Sequence, residues 1–190
     1  MVEAILQAGG RIQDLVRQIV LFSRRDSALP VQVSLVSEIS QILNLLSTTL
    51  PANLSLTTHL LVAPTVLAAR GSLHQVILNL LTNALHATEG TPDAQIEVSL
   101  DIVPRPSDEL LLLEGDYAHL SIADNGPGMN ADIQARAFDP FFTTKGPEKG
   151  SGMGLAIVHT IVTTAGGAVR LESLPGSGTT VHVYWPVFPR

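Results

Sequence analysis

Cysteine is absent from the 190 residues, which excludes disulfides, thiolate metal sites and cysteine nucleophiles. Charged residues are sparse at 15%, and the net charge of −6 comes without a long basic cluster, which argues against direct nucleic-acid binding. No run of about 18 apolar residues occurs, so no membrane-spanning helix is predicted. The N-terminus, MVEAILQAGGRIQD, lacks the basic-then-apolar pattern of a signal peptide. Aromatics are only 4% of the chain. Hydrophobic residues, however, reach 45%, enough for a packed core rather than disorder. The length suits one ordinary domain with an appendage. These features predict a soluble, cytoplasmic chain or the soluble part of something larger.

Residues 2–25 carry apolar side chains at three- and four-residue steps (Ile5, Ile12, Val16, Ile19, Phe22), which predicts a long N-terminal helix weakened at Gly9-Gly10. Its apolar stripe calls for a neighbour: a dimer mate, a truncated segment or its own domain. Asp26–Pro30 reads as a linker, so the expected division is an appendage at 1–30 and a globular domain at 31–190. Helical patterns follow at Leu35–Leu46, with Ser34 as N-cap, and at Leu73–Glu89, Ala131–Ala137 and Met153–Ala165. Strand patterns occupy Leu54–Leu61, Ala94–Ile102 and Tyr117–Ala123, with a hairpin formed by Val169–Ser173 and Thr180–Trp185. Leu110–Leu113 is apolar without a clear type. Helices and mostly antiparallel strands in this order predict an α+β, two-layer α/β sandwich.

Several polar clusters stand out against this frame. Asp124-Asn125-Gly126-Pro127-Gly128-Met129 places a carboxylate at a strand end, before a glycine-rich turn that brings bare backbone close to a ligand. Such an acid can accept from an exocyclic amine such as that of adenine. In the Leu73–Glu89 helix, Gln75, Asn79, Asn83 and His86 fall on one stripe. Two asparagines one turn apart can offer oxygens to a hard cation such as Mg²⁺, which is usually shared with phosphates. A solvated helix face would give the same stripe. Gly150-Ser151-Gly152-Met153-Gly154-Leu155 leads into a helix start, where free N–H groups and the helix dipole favour phosphate. Phe138–Lys145 holds three of the five phenylalanines and ends on a lysine, the pattern of a lid that docks on aromatics and reaches a phosphate.

In their order and sequence these segments resemble the ATP-binding domain of sensor histidine kinases, of the GHKL group with gyrase B, MutL and the Hsp-type chaperone ATPases. LNLLTNALHA resembles the N box, ADNGPGM the G1 box, FDPFFTTK the F box, GSGMGLAIVH the G2 box and SGTTVHVYWP the closing glycine–threonine strand. The resemblance spans Val31 to Pro186, and IVLFSRRDSALP resembles the second helix of the dimerisation and phosphotransfer hairpin. It implies the Bergerat fold, with helices on one face of a mixed, mostly antiparallel sheet. It also implies ATP and Mg²⁺ as cofactors. Asp124 would accept from the adenine amino group, with Gly126, Gly128 and Met129 closing over the nucleotide. Asn83 would hold Mg²⁺, Asn79 would stand near phosphate or metal, and His86 would replace a phosphate-contacting basic residue. Thr144, Lys145 and the helix start Gly152, Met153, Gly154 and Leu155 would hold the triphosphate, with Thr179 in support. Asn79 and Lys145 would be the catalytic pair.

Two departures qualify what the resemblance implies. Ala69-Arg70 stands where many relatives have an aspartate before the N-box helix. No phosphoacceptor is evident, since none of His59, His74, His86, His119, His159 and His182 lies in the N-terminal helix or precedes an acidic residue. His59, His119, His159 and His182 read as surface or packing residues and His74 as a surface residue. Asn79 also occupies the position where hydrolytic relatives carry a water-orienting glutamate, so weak hydrolysis is expected. The expected activity is transfer of the γ-phosphoryl group to a histidine outside this chain. Its partners would be a response-regulator receiver domain, an acceptor-histidine helix and a second copy through the N-terminal helix. A nucleotide-sensing or interaction module, or a kinase of this group acting on serine in a partner, is the alternative.

Overall fold

The computed structural model describes residues 29–47, 50–104, 112–144 and 151–188. The expected helix at 2–25, the start of the linker and Lys145 lie outside them. The described chain runs through β1 (Val31–Ser34), α1 (Leu35–Leu46), β2 (Leu54–Leu60), β3 (Thr65–Ala68), α2 (Arg70–Ala87) and β4 (Ala94–Pro104). It continues through β5 (Asp116–Asp124), α3 (Ala131–Arg136), α4 (Gly154–Thr164), β6 (Ala168–Leu174) and β7 (Gly178–Pro186). Five strands form one sheet in the order β2-β4-β5-β7-β6. Only β2 and β4 run parallel, and the other three pairings are antiparallel. This is the expected α+β, two-layer architecture with a mixed, mostly antiparallel sheet.

Period-two alternation decides which side of the sheet is covered. Ile96, Val98 and Leu100 of β4, Ala118, Leu120 and Ile122 of β5, and Val181, Val183 and Trp185 of β7 enter one buried cluster. Leu73, Val76, Ile77, Leu80, Leu81 and Ala84 of α2 complete it, together with Val158 and Val162 of α4. The α2 residues recur at helical three- and four-residue steps, which is why that helix lies flat on the sheet. Burying a side chain of this size contributes roughly 1.5–3 kcal/mol.

Two strands escaped the sequence reading. β1 and β3 pair antiparallel as a separate ribbon, which reaches the chain end through a bridge between Val66 and Val187. At four residues each they are too short to show a period of their own. Other elements run a residue or more past their expected limits, as β4 does at Pro104, or start earlier, as α2 does at Arg70. Asn130 caps α3 through its side chain, accepting from Ile133 N at 2.9 Å, but Ser34 makes no side-chain cap bond to α1.

The start of α2 is built unusually. Its N-cap is Ala69, with no side-chain cap, and Arg70 follows in the first turn, where the helix dipole disfavours a cation. Glu38 of α1, only 2% exposed, brings its carboxylate to 3.6 Å from Arg70 Nε and 3.7 Å from His74 Nδ1. An acid from a neighbouring helix thus meets the side chains of two residues near the start of α2. His74 is only partly exposed, because it lies against this buried carboxylate.

On the opposite face of the sheet, Tyr117, Tyr184, Ala168 and Leu112 form a second buried cluster. Beside it His119 stacks on Tyr184, with ring centroids 4.7 Å apart. His119 Nδ1 lies 3.0 Å from Asp101 Oδ1, and His119 Nε2 lies 3.0 Å from His182 Nδ1. The carboxylate only accepts, so His119 donates from Nδ1, and with both rings neutral His182 donates from its own Nδ1 to His119 Nε2. His182 Nε2 is then the unprotonated atom, and it is buried without a hydrogen-bond partner. Burial first, and then the neighbouring His119 and Arg170, hold His182 below the ordinary imidazole value, against the opposing pull of Glu172. A depressed folded value means that the unfolded chain binds the proton more readily. The stability it represents is full above the unfolded value of 6.5 and is lost as pH falls through the folded value. The thermal midpoint should therefore fall as the buffer is taken from about pH 8 to about pH 5, with a shallower slope in His182→Gln. Equal slopes in the two proteins would show that His182 does not govern this dependence.

Candidate functional site

At one end of the sheet, α2, the loop after β5, the start of α4 and the β6–β7 hairpin enclose a cleft of about 860 Å³. Asn79, Asn83, His86, Asp124, Gly126, Gly128, Met129, Thr144, Gly152, Gly154, Leu155 and Thr179 line it. Residues 45 or more positions apart in sequence thus meet at one place. Met153 does not line the cleft, because its side chain is buried at 4% exposure while its carbonyl receives Ile157 N at 2.9 Å. Lys145 is outside the described residues.

The Asp124 end is held by its neighbours. Asp124 Oδ1 accepts from Gly126 N at 2.9 Å, so the acid shapes the turn that follows it. Asn125 ties the strand end to β4: its Oδ1 accepts from Gln95 N at 2.8 Å and its Nδ2 donates to Asp93 O at 2.9 Å. The β6–β7 hairpin closes against the same loop. Gly176 N donates to Pro127 O at 2.7 Å, and Met129 N donates to Ser173 Oγ at 2.8 Å. Gly128 has φ +65, and a Cβ there would overlap the Leu174 carbonyl. Gly178 has φ +86, and a Cβ there would overlap the Asp124 carbonyl. Two glycines are therefore required where the two loops cross.

The other end of the cleft is polar. A Cβ at Gly154, the first residue of α4, would lie 3.4 Å from Asn83 Nδ2 and 3.8 Å from Asn79 Oδ1. The helix start thus abuts both asparagine amides. The first N–H groups of a helix have no intrahelical partner and carry a positive partial charge. Asn79 Nδ2 is buried with no hydrogen-bond partner, and its Oδ1 is the atom turned toward the helix start. The arrangement suits an anionic ligand with acceptor oxygens. It also suits a cation shared with that ligand, since an asparagine amide offers one oxygen. Among the described residues, no group of three or more His, Asp or Glu side chains could hold a metal on its own.

The segment before the helix start is anchored in part. Phe138 packs on His159 of α4 at 5.4 Å between ring centroids, and Phe142 lies under the Arg136 guanidinium at 4.3 Å. Phe141 does not dock: it is 67% exposed at φ +66. Its exposure departs from the expectation that all three phenylalanines hold the segment down.

Ile122, Leu171, Val181 and Ile133 also line the cleft, and the sequence reading did not single them out. The alternation of β5, β6 and β7 marks the first three as inward-facing, but not that the helices leave their end of the sheet uncovered. Ser173 and Gln134 were missed as well. Gln134 Nε2 donates to Met129 O and Ser173 O, each at 2.9 Å. Nothing in local pattern distinguishes such bridging side chains from ordinary polar positions.

Comparison with known proteins agrees with this geometry. Residues 68–189 match the family described as histidine kinase-, DNA gyrase B-, and HSP90-like ATPase. Sensor kinase CckA of Brucella abortus is 34% identical over 188 residues, covering 96% of this chain and 20% of that protein. Sensory histidine kinase/phosphatase NtrB of Rhizobium leguminosarum bv. phaseoli is 34% identical over 183 residues, covering 93% of this chain and 46% of its own length. The chain therefore spans less than half of either relative. Among solved structures, full-length ShkA in complex with AMPPNP superposes with a TM-score of 0.76 at 27% identity, covering all of this chain and 38% of that one. Mycobacterial sensor histidine kinase MprB gives 0.69 at 25% identity, covering 85% of this chain and 100% of that one. With its sheet, its helix layer and its four-sided cleft, the chain belongs to the histidine kinase-, DNA gyrase B- and HSP90-like ATPases and carries that family's catalytic ATP-binding domain.

Proposed function

We propose that the chain binds ATP with Mg²⁺ as the catalytic part of a two-component sensor kinase, passing the γ-phosphoryl group to a histidine it does not itself carry. The observation that carries this reading is the convergence, in one cleft, of the Asp124 carboxylate, the Asn79–Asn83 amides and the start of α4. Asp124 accepts from the adenine amino group, and Thr179 stands beside it across the β5–β7 register. The turn at Gly126–Met129 lies along the base and sugar. The triphosphate runs to the α4 start, where backbone N–H groups at Gly152, Gly154 and Leu155 meet its oxygens. His86 and Thr144 flank this path, and Lys145, next to Thr144 in sequence, is the cation this reading assigns to the phosphates.

Asn83, with Asn79 beside it, would hold Mg²⁺, which would supply positive charge against the phosphates. The chain's own task is positioning, because the transfer needs little covalent help from the protein. The acceptor histidine nitrogen forms a bond to the γ-phosphorus as the bond to the bridging oxygen breaks, and ADP leaves. Asn79 cannot act as a general base, so no group at that position activates water and hydrolysis is slow. The acceptor helix, a response-regulator receiver domain and a second copy through the N-terminal segment are the partners this reading implies. A site on the cytoplasmic side of a membrane suits it.

Asp124→Asn should lower ATP affinity at least tenfold by calorimetry while the thermal midpoint stays within a few degrees, since an amide presents a donor where the adenine amine needs an acceptor. Unchanged affinity would remove the adenine assignment. Asn83→Ala should weaken ATP binding in Mg²⁺ and leave binding in EDTA nearly unchanged. An equal loss in both conditions would assign Asn83 to the nucleotide rather than to the metal.

A further inference from the structure

We propose that Ser173 fixes the hydrogen-bond polarity of Thr179, and so makes the cleft select a 6-aminopurine over a 6-oxopurine. The inference rests on the nucleotide reading above and assigns its base specificity to a residue that does not line the cleft. Ser173 Oγ lies 2.8 Å from Met129 N, 2.8 Å from Gly178 O and 2.9 Å from Thr179 Oγ1. A hydroxyl has one proton to give. Met129 N–H donates to it. Two oxygens 2.8 Å apart repel unless a proton lies between them, and the Gly178 carbonyl has none, so the Ser173 proton points at Gly178 O. The short contact to Thr179 then requires the Thr179 proton. Ser173 Oγ donates once and accepts twice, which saturates it.

The consequence falls on Thr179. It lines the cleft, and with its proton committed to Ser173 it presents only lone pairs to a ligand. Asp124 stands opposite it in the β5–β7 register and, when ionised, also only accepts. Two adjacent acceptors therefore face the same end of the cleft. An amino group at purine C6 supplies donors to them, whereas a carbonyl there places lone pair against lone pair. A site built on such pairing rejects the mismatched analogue far more strongly than a shape-based pocket does. Gln134 holds the arrangement from outside through its bonds to Met129 O and Ser173 O. Ser173 is thus a positioning residue, acting on the base through Thr179.

The test measures dissociation constants of ATP and inosine triphosphate, with Mg²⁺, for the chain and for Ser173→Ala, Ser173→Thr and Thr179→Val. The unmodified chain should prefer ATP. In Ser173→Ala the released Thr179 hydroxyl can turn and donate, so the preference should narrow by roughly three- to tenfold. Ser173→Thr keeps the hydroxyl and should keep the preference. Thr179→Val removes one acceptor and should narrow the preference by loss of ATP affinity, which serves as the test if Ser173→Ala does not fold. A purely structural role for Ser173 would weaken both nucleotides by one factor, and an unchanged ratio in Ser173→Ala or Thr179→Val overturns the inference. A chain that binds neither nucleotide overturns the nucleotide reading and this inference together. Tight ATP binding with an unmoved ratio overturns this inference alone.

Discussion

The crossing of two loops, the turn after β5 and the β6–β7 hairpin, is the constraint on which the site depends. Gly128 meets the Leu174 carbonyl and Gly178 meets the Asp124 carbonyl, with no room for a side chain at either contact. Both glycines hold φ values that other residues rarely adopt. The backbone bond from Gly176 to Pro127 and the bond from Met129 to Ser173 close the crossing. Asp124 sits at its centre, with its backbone carbonyl against Gly178 and its carboxylate held by the Gly126 N–H. An acid placed this way spends little conformational entropy when it meets a ligand.

The second organising element is how the fold uses helix ends. α2 and α4 both start near charge. At α2 the anion is internal, the buried Glu38 carboxylate against Arg70 and His74. At α4 the start is left to the cleft, with the Asn79 and Asn83 amides beside it. In a chain of net charge −6, partial charges on the backbone N–H groups of such a start favour an anion without a basic surface around it.

Much of this was legible in the sequence. The α2 face and the β4, β5 and β7 alternation showed their periods over enough residues to assign the layer each would join. The polar stripe at Asn79, Asn83 and His86, the acid before the glycines and the glycines before α4 were separate clusters by pattern alone; the family resemblance implied one nucleotide site, and the fold brings them into one cleft. The ribbon of β1 and β3 was not legible, since strands of four residues carry too little pattern. Nor were Ser173, Gln134 and the His119–His182 pair, because each depends on partners far along the chain. The exposed Phe141 shows the reverse error: a hydrophobic residue in an aromatic cluster need not be the one that anchors it.

The floor of the cleft is built before any ligand arrives. Amide hydrogen exchange on the nucleotide-free chain tests this most directly. Gly126, Met129 and Gly176 donate to Asp124, Ser173 and Pro127, and their amides should be protected well beyond open-chain rates without ATP. Exchange of these three amides at open-chain rates, slowing only when ATP is added, would contradict it.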